Sequence, residues 1–153
     1  MAPSCYAVLH VHRESDQGGP NRGNGLAVIH RDSLVVSNYA LQKQSKPTTF
    51  ELELVHIRTG ASSLIFAKIY QPPSQFVNPV FFDEMADLLT NILATTSKSL
   101  LLTCDFNCLD KDSNNIDTRL TTVLELFGIV QTVSGATCSN NLLEILAFRT
   151  SAS

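Results

Sequence analysis

The polar and apolar positions of the chain predict strands first and then an alternation of helices and strands. Tyr6–His12 and Leu26–His30 are short β-prone runs, and Leu34–Ser37 begins a further extended segment. Phe50–Arg58 alternates almost strictly between apolar and polar residues, which is the pattern expected of a strand with one buried face. Ser63–Tyr70 follows a turn at Thr59–Ser62. We therefore expect these two segments to form an antiparallel hairpin that ends at Pro72 and Pro73.

The second half of the chain has helical periodicity. Pro79–Leu93 has proline near its first turn and an apolar stripe that predicts core packing, formed by residues 81, 82, 85, 88, 89, 92 and 93. Asp117 is expected to cap a second helix through Phe127, with Gly128 ending it. Short strands are predicted at Leu100–Thr103, Ile129–Val133 and Leu142–Phe148. This order predicts an α/β sandwich with mixed sheets.

Composition makes the chain a globular protein of one domain. It has 153 residues, of which 44% are apolar and 16% charged, and no apolar run approaches the length of a membrane span. A net charge of −3 argues against a dedicated nucleic-acid binding module but not against a nuclease, whose metal-binding carboxylates are themselves negative. The four cysteines show no CxxC pair, which favours reduced thiols in an intracellular protein.

The candidate chemistry lies where the apolar run Leu100–Thr103 ends in Cys104-Asp105-Phe106-Asn107. A carboxylate at the end of a buried strand is rigid and solvent-facing, which suits a metal ligand or a general base. Asn107 would share the side of Asp105 and orient a phosphate oxygen. Ordinary turn chemistry is the alternative reading for both residues.

Three further features carry alternatives of their own. Glu144 interrupts an apolar strand, so it needs a partner or a role, unless it is an outward-facing edge residue. His10 and His12 have the spacing of a metal pair, but solvated strand histidines explain them better. The glycine-rich stretch 18–25 precedes a strand and not a helix, so it is neither a P-loop nor a dinucleotide fingerprint; Arg22 within it is a weak phosphate-contact candidate.

The motifs together resemble the endonuclease/exonuclease/phosphatase superfamily, specifically the apurinic-type endonuclease domain of non-LTR (LINE-like) retrotransposon polyproteins. The resemblance covers nearly the whole chain, in the middle and later part of that domain. It rests on the order and spacing of these segments: residues 22–34, Ile69-Tyr70-Gln71-Pro72-Pro73, Phe81-Phe82-Asp83-Glu84, residues 101–107, residues 126–131 and Leu143-Glu144-Ile145-Leu146.

The resemblance implies a two-sheet α/β sandwich of the endonuclease/exonuclease/phosphatase type, truncated at both ends, with residues 1–153 as one partial domain. It places Tyr70 beside the scissile phosphate, Asp105 as the acid that orients or deprotonates the attacking water and Asn107 on a phosphate oxygen. Asp105 and Glu144 would bind Mg²⁺ or Mn²⁺. DNA is the implied partner, with a linked reverse transcriptase and no membrane, and the location is nuclear or cytoplasmic; the oligomeric state stays open.

Several departures from the family pattern bear on activity. The family's early Asn and metal-binding Glu, and its terminal Ser-Asp-His motif, have no counterpart here. Cys104 replaces a glycine and should crowd the backbone near the site, Glu144 replaces an aspartate, and Gln71 replaces an arginine near the phosphate. We therefore expect metal-dependent phosphodiester hydrolysis that is weak or absent in this chain alone. The alternatives are a non-catalytic scaffold or a DNA- or protein-interaction module derived from such a domain, and a fragment that does not fold stably.

Overall fold

The computed structural model describes residues 5–11, 26–41, 46–60, 62–72, 78–105, 117–133 and 144–150, with the backbone alone at Val11, Glu144 and Ile145. Its elements in chain order are β1 (Tyr6–Val11), β2 (Leu26–Arg31), β3 (Val35–Asn38), β4 (Glu51–Thr59), β5 (Ser62–Tyr70), α1 (Pro79–Thr95), β6 (Ser99–Asp105), α2 (Thr118–Leu126), β7 (Val130–Gln131) and β8 (Glu144–Arg149). Each strand and helix predicted from the sequence is present in these ranges, with ends shifted by a few residues.

Two sheets form a mixed α/β sandwich, as the sequence predicted. A small sheet pairs β1 with β2, and the main sheet has the order β3-β4-β5-β6-β8-β7. The hairpin of β4 and β5 is antiparallel as expected, whereas β5 and β6 are parallel. A parallel pair needs a crossover between its strands, and α1 supplies it.

One face of the main sheet, which we call the helix face, packs against α1 and α2. Its buried side chains alternate along the central strands and share one core cluster with the apolar stripe of α1; the sheet contributes Ile65, Ala67, Ile69, Leu100, Leu102, Cys104 and Ala147. Leu88 and Leu89 of α1 are fully buried in that cluster. The core packing predicted for this stripe is confirmed, although Leu93 at its edge is only half-buried.

The caps of both helices follow the sequence signals. The N-cap of α1 is Asn78, whose side chain accepts a hydrogen bond from the Val80 N–H, and Pro79 takes the first helical position. Asp117 caps α2 by accepting from the Arg119 N–H at 2.8 Å. Gly128 has a φ of +64°, a conformation that glycine adopts without the steric cost of a β-carbon, and it ends α2.

The opposite face of the main sheet, which we call the small-sheet face, lies towards β1 and β2. Val55 of β4 is fully buried on this face, and Lys68 of β5 reaches across it to donate a hydrogen bond from Nζ to the Ala27 carbonyl of β2 at 2.9 Å. The two sheets are therefore joined by a polar contact as well as by apolar packing. No helix in the described part of the chain is long and apolar enough to cross a membrane.

Candidate active site

Three of the predicted site residues lie side by side across neighbouring strands. Tyr70 at the end of β5 is in register with Asp105 at the end of β6, and Asp105 is in register with Glu144 at the start of β8. Adjacent strands are about 4.8 Å apart, and residues in direct register emerge on the same face of a sheet. Residues that are 35 and 39 positions apart in the chain therefore form one continuous row.

The row continues onto β4, where Glu51 is in register with Tyr70. We call these four positions, Glu51, Tyr70, Asp105 and Glu144, the site row. The side chain of Asp105 is exposed and that of Tyr70 is half-buried. The exposed Asp105 carboxylate and the half-buried Tyr70 phenol are therefore accessible to a substrate that approaches from solvent.

The backbone holds the centre of the site row together. The Gln71 N–H donates a hydrogen bond to the Asp105 carbonyl oxygen at 3.1 Å, which extends the pairing of β5 and β6 by one residue. Gln71 is only 4% exposed. This backbone bond joins the two strand ends that carry Tyr70 and Asp105; the replacement of an arginine by Gln71 near the phosphate stays a prediction.

The structure places Cys104 away from the row. Because side chains alternate along a strand, the exposed Asp105 and the buried Cys104 lie on opposite faces of β6, and Cys104 belongs to the helix-face core. Among the described non-glycine residues, only Cys5 has a positive φ. The expected crowding of the site by the Cys104 β-carbon is therefore wrong, since that atom packs among the apolar side chains under α1.

A buried carboxylate that the sequence pattern did not reveal lies next to the site row. Glu53, two residues after Glu51 on the same face of β4, is 1% exposed, and neither carboxylate oxygen has a hydrogen-bond partner among the described residues. Its cross-strand neighbour is Lys68. Burial raises the pKa of Glu53, and the opposing effects of Lys68 and His10 do not cancel that rise.

The alternation in β4 predicted one buried face but did not identify which face that is. Leu52 and Leu54 do pack against the helix-face core, but they are only half-buried, whereas Glu53 and Val55 on the other face are buried. The reason is tertiary, because the small sheet covers a face that a single strand's pattern cannot report.

The remaining candidates divide between described and undescribed positions. Asn107, His12, Arg22 and the 18–25 stretch lie outside the described residues. His10 is exposed on β1, and within the described ranges no group of three His, Cys, Asp or Glu side chains is arranged to hold a metal ion. β8 lies between β6 and β7, but β7 pairs with it only at Ala147 and Phe148, so the edge alternative for Glu144 stays a prediction.

The donor chemistry of the row fits a hard divalent cation. Mg²⁺ is usually held by one or two carboxylates and completes its shell with water and substrate phosphate oxygens, so a full protein cage is not required. Asp105 has an exposed carboxylate, and Glu144, a second acidic residue, is in register with it.

Comparison with known proteins identifies the fold. No protein-family model and no curated protein matches the chain. Among solved structures, it is similar to the endonuclease domain of TRAS1, a telomere-specific non-LTR retrotransposon, with 18% identity and a TM-score of 0.62 over 95% of this chain and 65% of that one. It is also similar to an endonuclease/exonuclease/phosphatase family protein from Bacteroides thetaiotaomicron (12% identity, TM-score 0.57, 95% and 60% covered).

A third similar structure is D. rerio TDP2 complexed with a single-strand DNA product, at 8% identity and a TM-score of 0.57, covering 96% of this chain and 63% of that one. The chain has the α/β sandwich of the endonuclease/exonuclease/phosphatase fold, as the sequence resemblance predicted. It spans 60 to 65% of the length of these three structures.

Proposed function

We propose that the chain is a metal-dependent phosphodiesterase unit of retroelement origin, that its substrate is DNA, and that its activity is weak when it acts alone. The observation that carries the proposal is the site row, because it brings Tyr70, Asp105 and Glu144 together at one end of the main sheet. The similar structures support the substrate class: TRAS1 is described as an endonuclease and the TDP2 structure holds a DNA product.

Each member of the row would have a distinct task. The Asp105 carboxylate is exposed, so it can accept a proton from, or orient, a water molecule that approaches the phosphorus. The Tyr70 hydroxyl can donate a hydrogen bond to a phosphate oxygen. Asn107 would bind another phosphate oxygen, and Asp105 with Glu144 would hold Mg²⁺ or Mn²⁺. The metal ion, when bound, stabilises negative charge on the phosphoryl oxygens and the leaving group.

Metal binding can be tested without turnover. Adding Mg²⁺ to the purified chain should raise its melting temperature, because a ligand that binds only the folded state stabilises it. The increase should be lost in Asp105→Ala and Glu144→Ala and kept in Asp83→Ala, which removes an exposed carboxylate from α1. An Mg²⁺ effect that survives in Asp105→Ala would refute the proposed metal site.

Activity is tested by nicking of supercoiled plasmid in Mg²⁺ or Mn²⁺. We expect slow nicking that falls by about 100-fold or more in Asp105→Ala, since members of one catalytic unit act together. Asp83→Ala should nick like the parent chain. Rapid nicking by the parent chain that depends on Asp105 would confirm the chemistry and refute the weak activity.

The second candidate function is a non-catalytic module that keeps only the scaffold. It is favoured by the departures from the family pattern, in which Glu144 replaces an aspartate and Gln71 replaces an arginine. A cooperative melt that Mg²⁺ does not change, together with DNA binding that Asp105→Ala leaves intact, would select this alternative. A linked reverse transcriptase, which the resemblance implies, would then be its partner.

A further inference from the structure

A basic cluster lies at the end of the main sheet opposite the site row. Alternate residues of β4 lie on the same face of the sheet. Leu52 and Leu54 pack against the helix-face core, so His56 and Arg58 also lie on the helix face. Arg58 is in register with Ser63 of β5. Lys98 directly precedes β6, whose first residue Ser99 is in register with Leu64, so the same register extended by one residue places Lys98 beside Ser63. We call His56, Arg58, Ser63 and Lys98 the basic cluster.

The arrangement puts two long cationic side chains on either side of a small hydroxyl residue. Ser63 occupies the central strand of the three, and the register places it between Arg58 of β4 and Lys98, which precedes β6. Arg58 is exposed, and Ser63 and Lys98 are half-buried, so solvent reaches all three residues. A planar guanidinium, an ammonium and a hydroxyl are the donors that proteins use for phosphate oxygens.

His56 supplies an independent observation that points to a missing ligand. Its Nε2 atom is buried and has no hydrogen-bond partner among the described residues. Burial, followed by the positive charges of Lys98 and Arg58, lowers the pKa of this imidazole. The charged groups acting on it are therefore both cations, and a buried ring nitrogen without a partner costs free energy that an oxyanion would recover.

No carboxylate in the described part of the chain pairs with a cation of the cluster. Neither Arg58 nor Lys98 forms an ion pair there. The last turn of α1 reaches the same end of the sheet, but residues 92–95 include no acidic or basic side chain. The negative pole of that helix end favours one nearby cation, which explains Lys98 and leaves Arg58 without a counterion in the described ranges.

We propose that the basic cluster is a second, non-catalytic binding site for phosphate groups, with Arg58 and Lys98 as charged donors, Ser63 as a hydroxyl donor and His56 as the inner hydrogen-bond partner. The ligand class is a phosphate monoanion or dianion, either free or as part of a nucleic-acid backbone. The site lies at the far end of strands β4 to β6 from the site row, so it is independent of the proposed hydrolysis.

The test uses the imidazole of His56 as a local reporter. The chain has four histidines, so the NMR ring signal of His56 can be assigned by comparison with His56→Gln. At constant ionic strength, saturating inorganic phosphate should move this signal and raise the pH at which the ring titrates. In the Arg58→Gln/Lys98→Gln variant the phosphate affinity should fall by about tenfold or more, because charge-assisted hydrogen bonds are lost.

Matched variants separate a loss of phosphate binding from a loss of folding. Arg31→Gln removes an exposed cation from β2 and should leave phosphate binding unchanged. Ser63→Asp places a negative charge at the centre of the cluster and should abolish binding, whereas Ser63→Asn has a similar size and no charge and should retain most of it. A cooperative melt of each variant confirms that it is folded.

A short DNA duplex distinguishes the two sources of phosphate. If the duplex moves the His56 signal at much lower concentration than inorganic phosphate does, the site contacts a nucleic-acid backbone; if only inorganic phosphate moves it, the site takes small phosphate ligands. The proposal is overturned if neither ligand moves the signal, or if the response persists in Arg58→Gln/Lys98→Gln or in Ser63→Asp.

Discussion

The two faces of the main sheet differ in the hydrogen bonds that they provide to a carboxylate. On the helix side, Glu84 of α1 accepts four hydrogen bonds of 2.6 to 3.0 Å, from the backbone N–H and the hydroxyl of both Thr48 and Thr49. On the small-sheet face, Glu53 is more deeply buried and its oxygens have no hydrogen-bond partner among the described residues. The Glu84 carboxylate is thus fully hydrogen-bonded, whereas the Glu53 carboxylate is buried without a hydrogen bond among the described residues.

The pKa values of the two groups move in opposite directions for this reason. Burial raises the pKa of Glu84, but the hydrogen bonds from Thr49 and Thr48 outweigh it and hold the pKa below its usual range. Burial raises the pKa of Glu53 with no such compensation from hydrogen bonds. The hydrogen bonds to Glu84 therefore stabilise its ionised form, whereas the burial of Glu53 disfavours the ionised form.

The largest expected effect comes from opening the helix-face core. Leu88→Ala removes a fully buried side chain of α1 and should lower the free energy of unfolding by about 2–5 kcal/mol, because it loses apolar burial and leaves a cavity. Urea denaturation measures it. Leu126→Ala, at a leucine that is 77% exposed, is the matched control and should change little. Equal effects of the two substitutions would contradict the position of the core.

A smaller loss is expected from the satisfied carboxylate. Glu84→Ala removes the acceptor of four hydrogen bonds and should cost about 1–3 kcal/mol near neutral pH. Since the folded-state pKa is lowered, this contribution is present above the unfolded-state pKa and is lost as the pH falls through the folded-state value. Urea midpoints of Glu84→Ala and the parent chain should therefore converge in acid. Asp87→Ala, at an exposed acid of α1, should show no such convergence.

The smallest effect has the opposite sign. Glu53→Gln should stabilise the chain by about 1 kcal/mol at neutral pH, because it removes the cost of burying an ionised carboxylate. The folded-state pKa is raised, so the parent chain loses stability as the pH rises through the unfolded-state pKa to the folded-state value. The gain in Glu53→Gln should vanish at low pH. Glu125→Gln on the exposed side of α2 serves as the control, and a loss of stability in Glu53→Gln would show that the carboxylate is satisfied in solution.

The sequence predicted the helices and strands better than it predicted which residues of different elements lie close together. Proline, glycine and aspartate signals marked the ends of both helices, and the apolar stripe of α1 identified the core, because these features depend on residues within one element. The burial of Glu53 was not predicted, because it depends on a second sheet. The basic cluster was not visible at all, since Arg58 and Lys98 become neighbours only through the pairing of β5 with β6.

The candidate site shows the same division. Asp105 and Tyr70 were recognisable as polar residues ending apolar strands, and the resemblance supplied their roles. Their adjacency depends on the parallel crossover through α1, and that of Asp105 and Glu144 depends on β8 inserting between β6 and β7. Strand order of this kind is set by packing between distant segments, which one strand's periodicity does not encode.

The hydrogen bond from Gln71 to Asp105 has a consequence for how this chain tolerates changes in length. It is the last backbone hydrogen bond between β5 and β6. The 28 residues from Gln71 to Lys98 therefore connect two strands whose pairing fixes both ends of the connection. Insertions between Gln71 and the start of α1 leave the phase of both strands intact. Deleting a single residue within Leu100–Cys104 instead turns Asp105 towards α1 or shifts it out of line with Tyr70.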